Sequence, residues 1–205
     1  MKMKTMTSLP SSSSHPSRAQ EKNAITLLGF WIYLMSDTII FACLFAVYAV
    51  LHNSTFGGPG GREIFDLPFV LTETLLLLTS SFTAGLGTLA AQKRSKRGVL
   101  TWFSVSLVLG LTFLSLEMHE FGALIAAGHG PSTSAFVSAY FALVGTHGLH
   151  VALGSLWMLV LLIHVARTAV TETMQRRLTM LALFWHFLDI IWILIFTVVY
   201  LMAFV

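Results

Sequence analysis

Five stretches of this chain, residues 24–51, 67–91, 98–125, 135–165 and 178–205, are each long and apolar enough to cross a bilayer. Crossing takes roughly 20 predominantly apolar residues. Inside lipid the backbone polar groups of a span must find partners within the protein, which for isolated apolar runs means α-helix. The expected fold is therefore all-α, a polytopic membrane bundle of five transmembrane helices. With 56% hydrophobic and only 10% charged residues, the composition excludes an ordinary soluble domain and a disordered chain. Residues 24–205 read as a single membrane domain. Residues 1–23 are Ser-rich, hold two of the five prolines and cannot bury a core, so they read as a mobile tail.

Turn chemistry separates the spans. Gly57-Gly58-Pro59-Gly60-Gly61 is expected to break any helix in the first loop, and Pro68 stands where a helix start tolerates it. In the second span small residues recur four apart, as Ser80, Ala84, Thr88 and as Thr83, Gly87, Ala91. Such lines let helix backbones approach closely. The twelve Lys and Arg divide unevenly: four in the tail, four at 93–97, three at 167–177, and on the opposite side Arg62 alone. That bias predicts a cytoplasmic N-terminus and a periplasmic C-terminus. The basic runs sit at membrane edges without interleaved aromatics, so they are topology signals and not a nucleic-acid surface. Cys43 has no second cysteine to pair with and is expected as a small core residue.

The polar residues inside the spans carry what functional information there is. The last span contains seventeen Leu, Ile, Phe and Val, each favouring insertion by roughly 0.3–0.6 kcal/mol, against an acid that costs roughly 2.5–3.5 kcal/mol at mid-bilayer. Asp189 is thus tolerated, provided it faces protein. Trp185, Asp189, Trp192 and Phe196 share a helix face, with His186 one turn from Asp189. Asp37 lies near the middle of the first span and is expected between helices. Glu73 stands near an end of the second span and is expected to reach the interface by snorkelling. Glu117 and Glu120 share a face of the third. In the fourth, Ser138, Ala142, Thr146, His150 and Gly154 form a line that turns His150 toward another helix. His147 and His150 are spaced so that they can share a metal, or serve as axial imidazoles, if their nitrogens converge; polar packing is the other reading. For each acid the choice lies between an interhelical hydrogen bond and a role with protons or lipid headgroups.

Phosphate loops, zinc-protease helices and nucleophile elbows are missing from the sequence. A small transporter or proton channel and a membrane haem carrier are the rival classes for such a bundle. Neither has a complete motif here.

Five segments in order resemble one family. They are Tyr33-Leu34-Met35-Ser36-Asp37, Leu67-Pro68-Phe69-Val70-Leu71-Thr72-Glu73-Thr74, Glu117 with Glu120-Phe121, His147-Gly148-Leu149-His150-Val151, and Phe184-Trp185-His186-Phe187-Leu188-Asp189-Ile190-Ile191-Trp192. From Gly29 to the C-terminus the chain is similar to subunit III of the haem–copper respiratory oxidases, most of all to the short, ubiquinol-oxidising branch. Subunit III of a cytochrome c oxidase and an accessory protein of a nitric oxide reductase are the neighbouring readings. The resemblance implies a subunit that binds no haem or copper, the metals belonging to a catalytic subunit I. It implies packing beside subunit I, with subunit II and a small subunit IV, in a bacterial inner membrane. It also implies phospholipid bound between helices and support for proton uptake, in an assembly that reduces oxygen to water with ubiquinol and pumps protons. Long forms of the family have seven spans, and a partner is expected to supply the two lacking here. Asp37 falls where those forms carry a membrane glutamate.

Overall fold

The computed structural model describes residues 18–58 and 60–204, with side chains from Ile25 onward. Most of the proposed tail lies outside the described residues. Helix α1 (Arg18–Leu51) begins within the tail's expected limits, and its membrane-length part is Ile25–Leu51. Then come the one-turn α2 (Gly61–Ile64), α3 (Leu67–Gln92), α4 (Lys96–Ala126), α5 (Ala135–Arg167) and α6 (Glu172–Ile195). The last continues through a π-helical turn, Phe196–Tyr200, into a 3₁₀ turn, Leu201–Phe204. Five helices are long and apolar enough to cross a membrane, and among the described residues there is no strand.

Two expectations about boundaries change. Gly61 does not end helical structure but opens α2, packed against Ala203 and Phe65. Helix α6 starts at Glu172, because Thr171 caps it by accepting the Met174 N–H at 3.3 Å, and a polar first turn continues as helix outside the apolar run.

Helices α3 and α4 form a tight hairpin. Ser95 caps α4 by accepting from Gly98 N, and Gly98 leaves room for Ala90 of α3. Farther along, Ser80 and Ser106 each donate to the other's carbonyl, at 2.8 and 2.9 Å, so two hydroxyls join two backbones in the membrane interior. Helices α5 and α6 close the other side, and α1 lies against both. Only one face of α1 is covered, at Leu34, Asp37, Phe41 and Tyr48, a heptad-like spacing. Cys43 falls off that face and is exposed, which corrects its expected place in the core.

Trp185 of α6 is the wedge of the bundle. It is almost fully buried, and its Nε1 donates to Ser80 Oγ at 3.1 Å. Its ring fills the space left by two glycines: a Cβ at Gly110 on α4 would lie 2.6 Å from Cζ2, and one at Gly154 on α5 would lie 3.1 Å from Cζ3. One indole therefore sets the approach of four helices.

Gly110→Ala is expected to force Trp185 aside and to destabilise the fold by about 1–3 kcal/mol, the usual cost of overpacking. Gly122→Ala on the same helix meets nothing within 4 Å and serves as the control for the roughly 0.5–1 kcal/mol that Ala gains over Gly in a helix. Thermal unfolding in detergent reads both; equal midpoints would show that the indole is not clamped.

Candidate functional site

With the Lys/Arg-bearing loops defining a basic end of the bundle, the polar side chains fall into three groups, one toward the opposite, far end and two near mid-membrane.

The far group gathers the acids of α3 and α4. Glu73 is fully buried, not snorkelling, so its nearness to a helix end does not bring it to water. Glu117 is equally buried, and Glu73, Glu117 and Glu120 lie within electrostatic reach of one another. Among the described residues none hydrogen-bonds to the carboxyl oxygens of Glu73 or Glu117. Glu117 lies over Gly148 of α5, where a Cβ would come within 2.6 Å of Oε1, which explains a glycine in the middle of that helix. Glu120 accepts from Tyr200 at 3.3 Å, and the Tyr200 and Tyr140 hydroxyls are 3.0 Å apart. Phe65 roofs the group, its ring centroid 4.9 Å from Tyr140 and 4.8 Å from Tyr200. The π-helical turn 196–200 ends on Tyr200, and such turns recur at functional positions.

The two phenols were not readable as members of this group. The π turn alters the register in which the end of α6 meets α4 and α5, and apolar periodicity carries no sign of that.

At mid-membrane, the Nε2 of His150 is 3.7 Å from Asp37 Oδ2, close enough for electrostatic attraction and long for a hydrogen bond. His150 Nδ1 donates to the Thr146 carbonyl at 2.7 Å. Phe41 packs on the His150 ring at 5.2 Å. His147 points elsewhere. It is fully buried, stacked on Trp192 at 5.1 Å and met edge-on by Phe113 at 6.0 Å. Neither of its nitrogens has a hydrogen-bond partner among the described residues. Phe41 of α1 borders both rings, but only His150 faces the Asp37 carboxyl, while His147 is packed between α4 and α6. Among the described residues no three His, Cys, Asp or Glu side chains are placed to hold a metal ion.

The third group joins α3 to α6. The Ser81 hydroxyl and His186 Nδ1 are 2.5 Å apart, and Ser81 also faces the Asp189 carboxyl. These are the residue types of a hydrolase triad in the wrong order. A catalytic histidine takes the serine proton on one nitrogen while the acid holds the other. Here serine stands between imidazole and acid. The arrangement is hydrogen-bonded packing, supported nearby by Trp192 Nε1 donating to Thr74 Oγ1 at 3.0 Å.

Gly148→Ala should push Glu117 out of place and cost about 1–3 kcal/mol. Shortening the acid with Glu117→Asp in the same chain should restore part of it. A double-mutant cycle on unfolding midpoints reads the coupling, and a value under about 0.5 kcal/mol would mean the two residues do not press on each other.

Comparison with known proteins then places the bundle. The family model described as Cytochrome c oxidase subunit III matches residues 15–204. The chain is 52% identical over 185 residues to a Pseudomonas aeruginosa protein named Cytochrome bo(3) ubiquinol oxidase subunit 3, covering 90% of this chain and 88% of that one. It is 43% identical to a Cytochrome c oxidase subunit 3 of a Bacillus species, over 91% of this chain and 93% of the other. It is 41% identical to the Quinol oxidase subunit 3 of Bacillus subtilis, over 89% and 90%. A match of that extent, on a five-helix membrane bundle with its buried acids in these helices, makes the chain a member of the cytochrome c oxidase subunit III family, the third subunits of the haem–copper oxidases.

Proposed function

We propose that this multi-pass chain is the non-catalytic third subunit of a bacterial cytochrome bo3-type ubiquinol oxidase, which reduces oxygen to water with ubiquinol and pumps protons. The observation that carries the reading is the 52% identity to a subunit 3 of that type along nine-tenths of the chain. In this reading residues 24–205 form one domain beside a catalytic subunit I that holds the haems and copper, with subunit II and a small subunit IV completing the assembly. Its membrane is the inner one. The basic end faces the cytoplasm, in keeping with eleven of the twelve Lys and Arg on one side.

Two structural features favour a supporting role. Two of the buried polar pairs join helices to one another, Asp37 against His150 and Ser81 against His186. The far group can hold protons on linked carboxyls and phenols, yet it offers no nucleophile poised against a base. Phospholipid has a fitting place at the basic end. There a cavity of about 490 Å³ opens between α1 and α6, lined by Thr26, Leu27, Arg176, Arg177 and Met180. Guanidinium groups beside an apolar wall suit a phosphate headgroup and the start of its chain.

Affinity purification of the tagged chain from native membranes should bring down a haem- and copper-containing partner with ubiquinol oxidase activity. Recovery of the chain alone would overturn the reading, and a partner oxidising only cytochrome c would move it to the sister branch. His150→Ala leaves Asp37 without its imidazole and is expected to weaken the seating of α1 by about 3 kcal/mol. An assembly recovered instead through a tag on the haem-bearing subunit should then hold less of this subunit and less phospholipid, with the haem spectrum unchanged. Normal subunit and lipid content would refute the packing role of the pair.

A further inference from the structure

Four carboxyl oxygens in the far group meet no donor among the described residues, two on Glu73 and two on Glu117. Glu73 is 0% and Glu117 1% exposed, so bulk water does not serve them either. The hydrogens that the neighbourhood supplies can be counted. Tyr200 gives its hydroxyl hydrogen to Glu120, and Tyr140, 3.0 Å away, can give its own to the Tyr200 oxygen. No phenolic hydrogen is left for Glu73 or Glu117. Among the described residues no Lys, Arg or His is paired with either acid. An ionised carboxylate buried without donor or counter-charge is among the costliest groups a fold can contain, and here two would also repel each other and Glu120. The acid form relieves this, because a carboxylic O–H is a donor as well as an acceptor. Protons are the ligand that such a geometry calls for.

The carboxyls also descend in steps from one end of the bundle. Asp66, at the N-terminus of α3, is exposed and lies within electrostatic reach of Glu120. Glu120 is half-buried and within reach of Glu73 and Glu117, which are closed off. Toward the basic end the descent stops at packed rings. Phe113 meets Trp192 edge-on at 4.7 Å, His147 stacks on the same indole, and all three are fully buried. His147 is the titratable group of this floor, beside the Gly148 that Glu117 covers. About two turns farther, Trp185 fills the space between α4 and α5.

We propose that Glu73 and Glu117 form a proton-storing site, filled and emptied from the far end through Glu120 and Asp66. A proton reaching the Asp66 carboxylate from solvent passes to Glu120, and from there to Glu73 or Glu117. Bound water carries it between them, with the four unpartnered oxygens as its partners. Each donor returns to its carboxylate, so one proton moves and no electron does. Release runs backward along the same groups. The closed floor makes this a pocket for protons and not a channel through the bilayer. The site needs no catalytic partner and stands apart from the subunit reading.

Infrared spectra of the full chain in lipid bilayers, with any subunits that purify with it, test the proposal at neutral pH. Two protonated-carboxyl C=O bands that shift in heavy water are expected, one lost in Glu73→Gln and the other in Glu117→Gln. Glu73→Asp keeps an acid and should keep a band at a changed frequency, which serves if Glu73→Gln does not accumulate. Absence of these bands from the unaltered chain would overturn the proposal, as would a thermal midpoint that follows the sodium or potassium concentration, the mark of acids ionised around a cation. A second arm times the hydrogen–deuterium exchange of the two bands. Glu120→Gln should slow it by about a hundredfold, the contribution typical of a positioned acid–base group, and Asp66→Asn should slow it as well. His119→Gln, exposed on the same helix as Glu120, should leave it as it was. Exchange as fast in Glu120→Gln as in the unaltered chain would show that protons reach the core by another way, and would also overturn the proposal.

Discussion

A polar group placed in the middle of a membrane can bond only to protein, and this bundle is built around meeting that demand with indoles and hydroxyls. Trp185 gives its N–H to Ser80, Ser80 and Ser106 exchange hydrogen bonds with each other's backbones, and Trp192 gives its N–H to Thr74. Each link joins different helices, and each is satisfied without a formal charge. The large rings around them supply area, while glycines 110 and 154 let Trp185 sit between α4 and α5. With those contacts set, the positions of the acids follow. Glu73 and Asp189 are carried on the same helices as Thr74 and Trp192 and are buried because those helices are held tightly together.

What was legible in the sequence follows from this division. The spans could be read because their lengths answer to bilayer thickness, and of the lines Ser80, Ala84, Thr88 and Thr83, Gly87, Ala91 all but the half-buried Thr88 face inward, with Phe103 closed over Gly87. Properties set by how separate elements meet could not be read. Glu73 seemed near water when counted along α3, but it is fully buried at an end of the bundle where Phe65 packs on Tyr140 and Tyr200. Cys43 sits in an apolar run, and an apolar run does not say which of its faces meets protein; α1 is covered only along Leu34, Asp37, Phe41 and Tyr48. Tyr200 joins the acids from a π turn that leaves no mark in the residue pattern, and Tyr140 meets it there from α5.

The histidines show how a shared spacing can separate roles. His147 and His150 lie within one turn of α5, yet one is stacked among aromatic rings and the other is turned to a carboxyl on α1. A helix advances about 100° per residue, so a three-residue step leaves two side chains some 60° apart. In a bundle where α1 and α6 both border α5, that angle is enough to assign neighbours to different partners.

Helix α1 touches the rest of the bundle chiefly through α5 and α6. During synthesis it leaves the ribosome before α5 and α6, the surfaces that receive it. Until then it stands by itself in the bilayer, with Asp37 waiting for an imidazole more than a hundred residues behind it in translation. Biogenesis of this chain therefore contains an interval in which α1 is inserted before its docking surface exists, an opening for a chaperone or a neighbouring polypeptide to hold it.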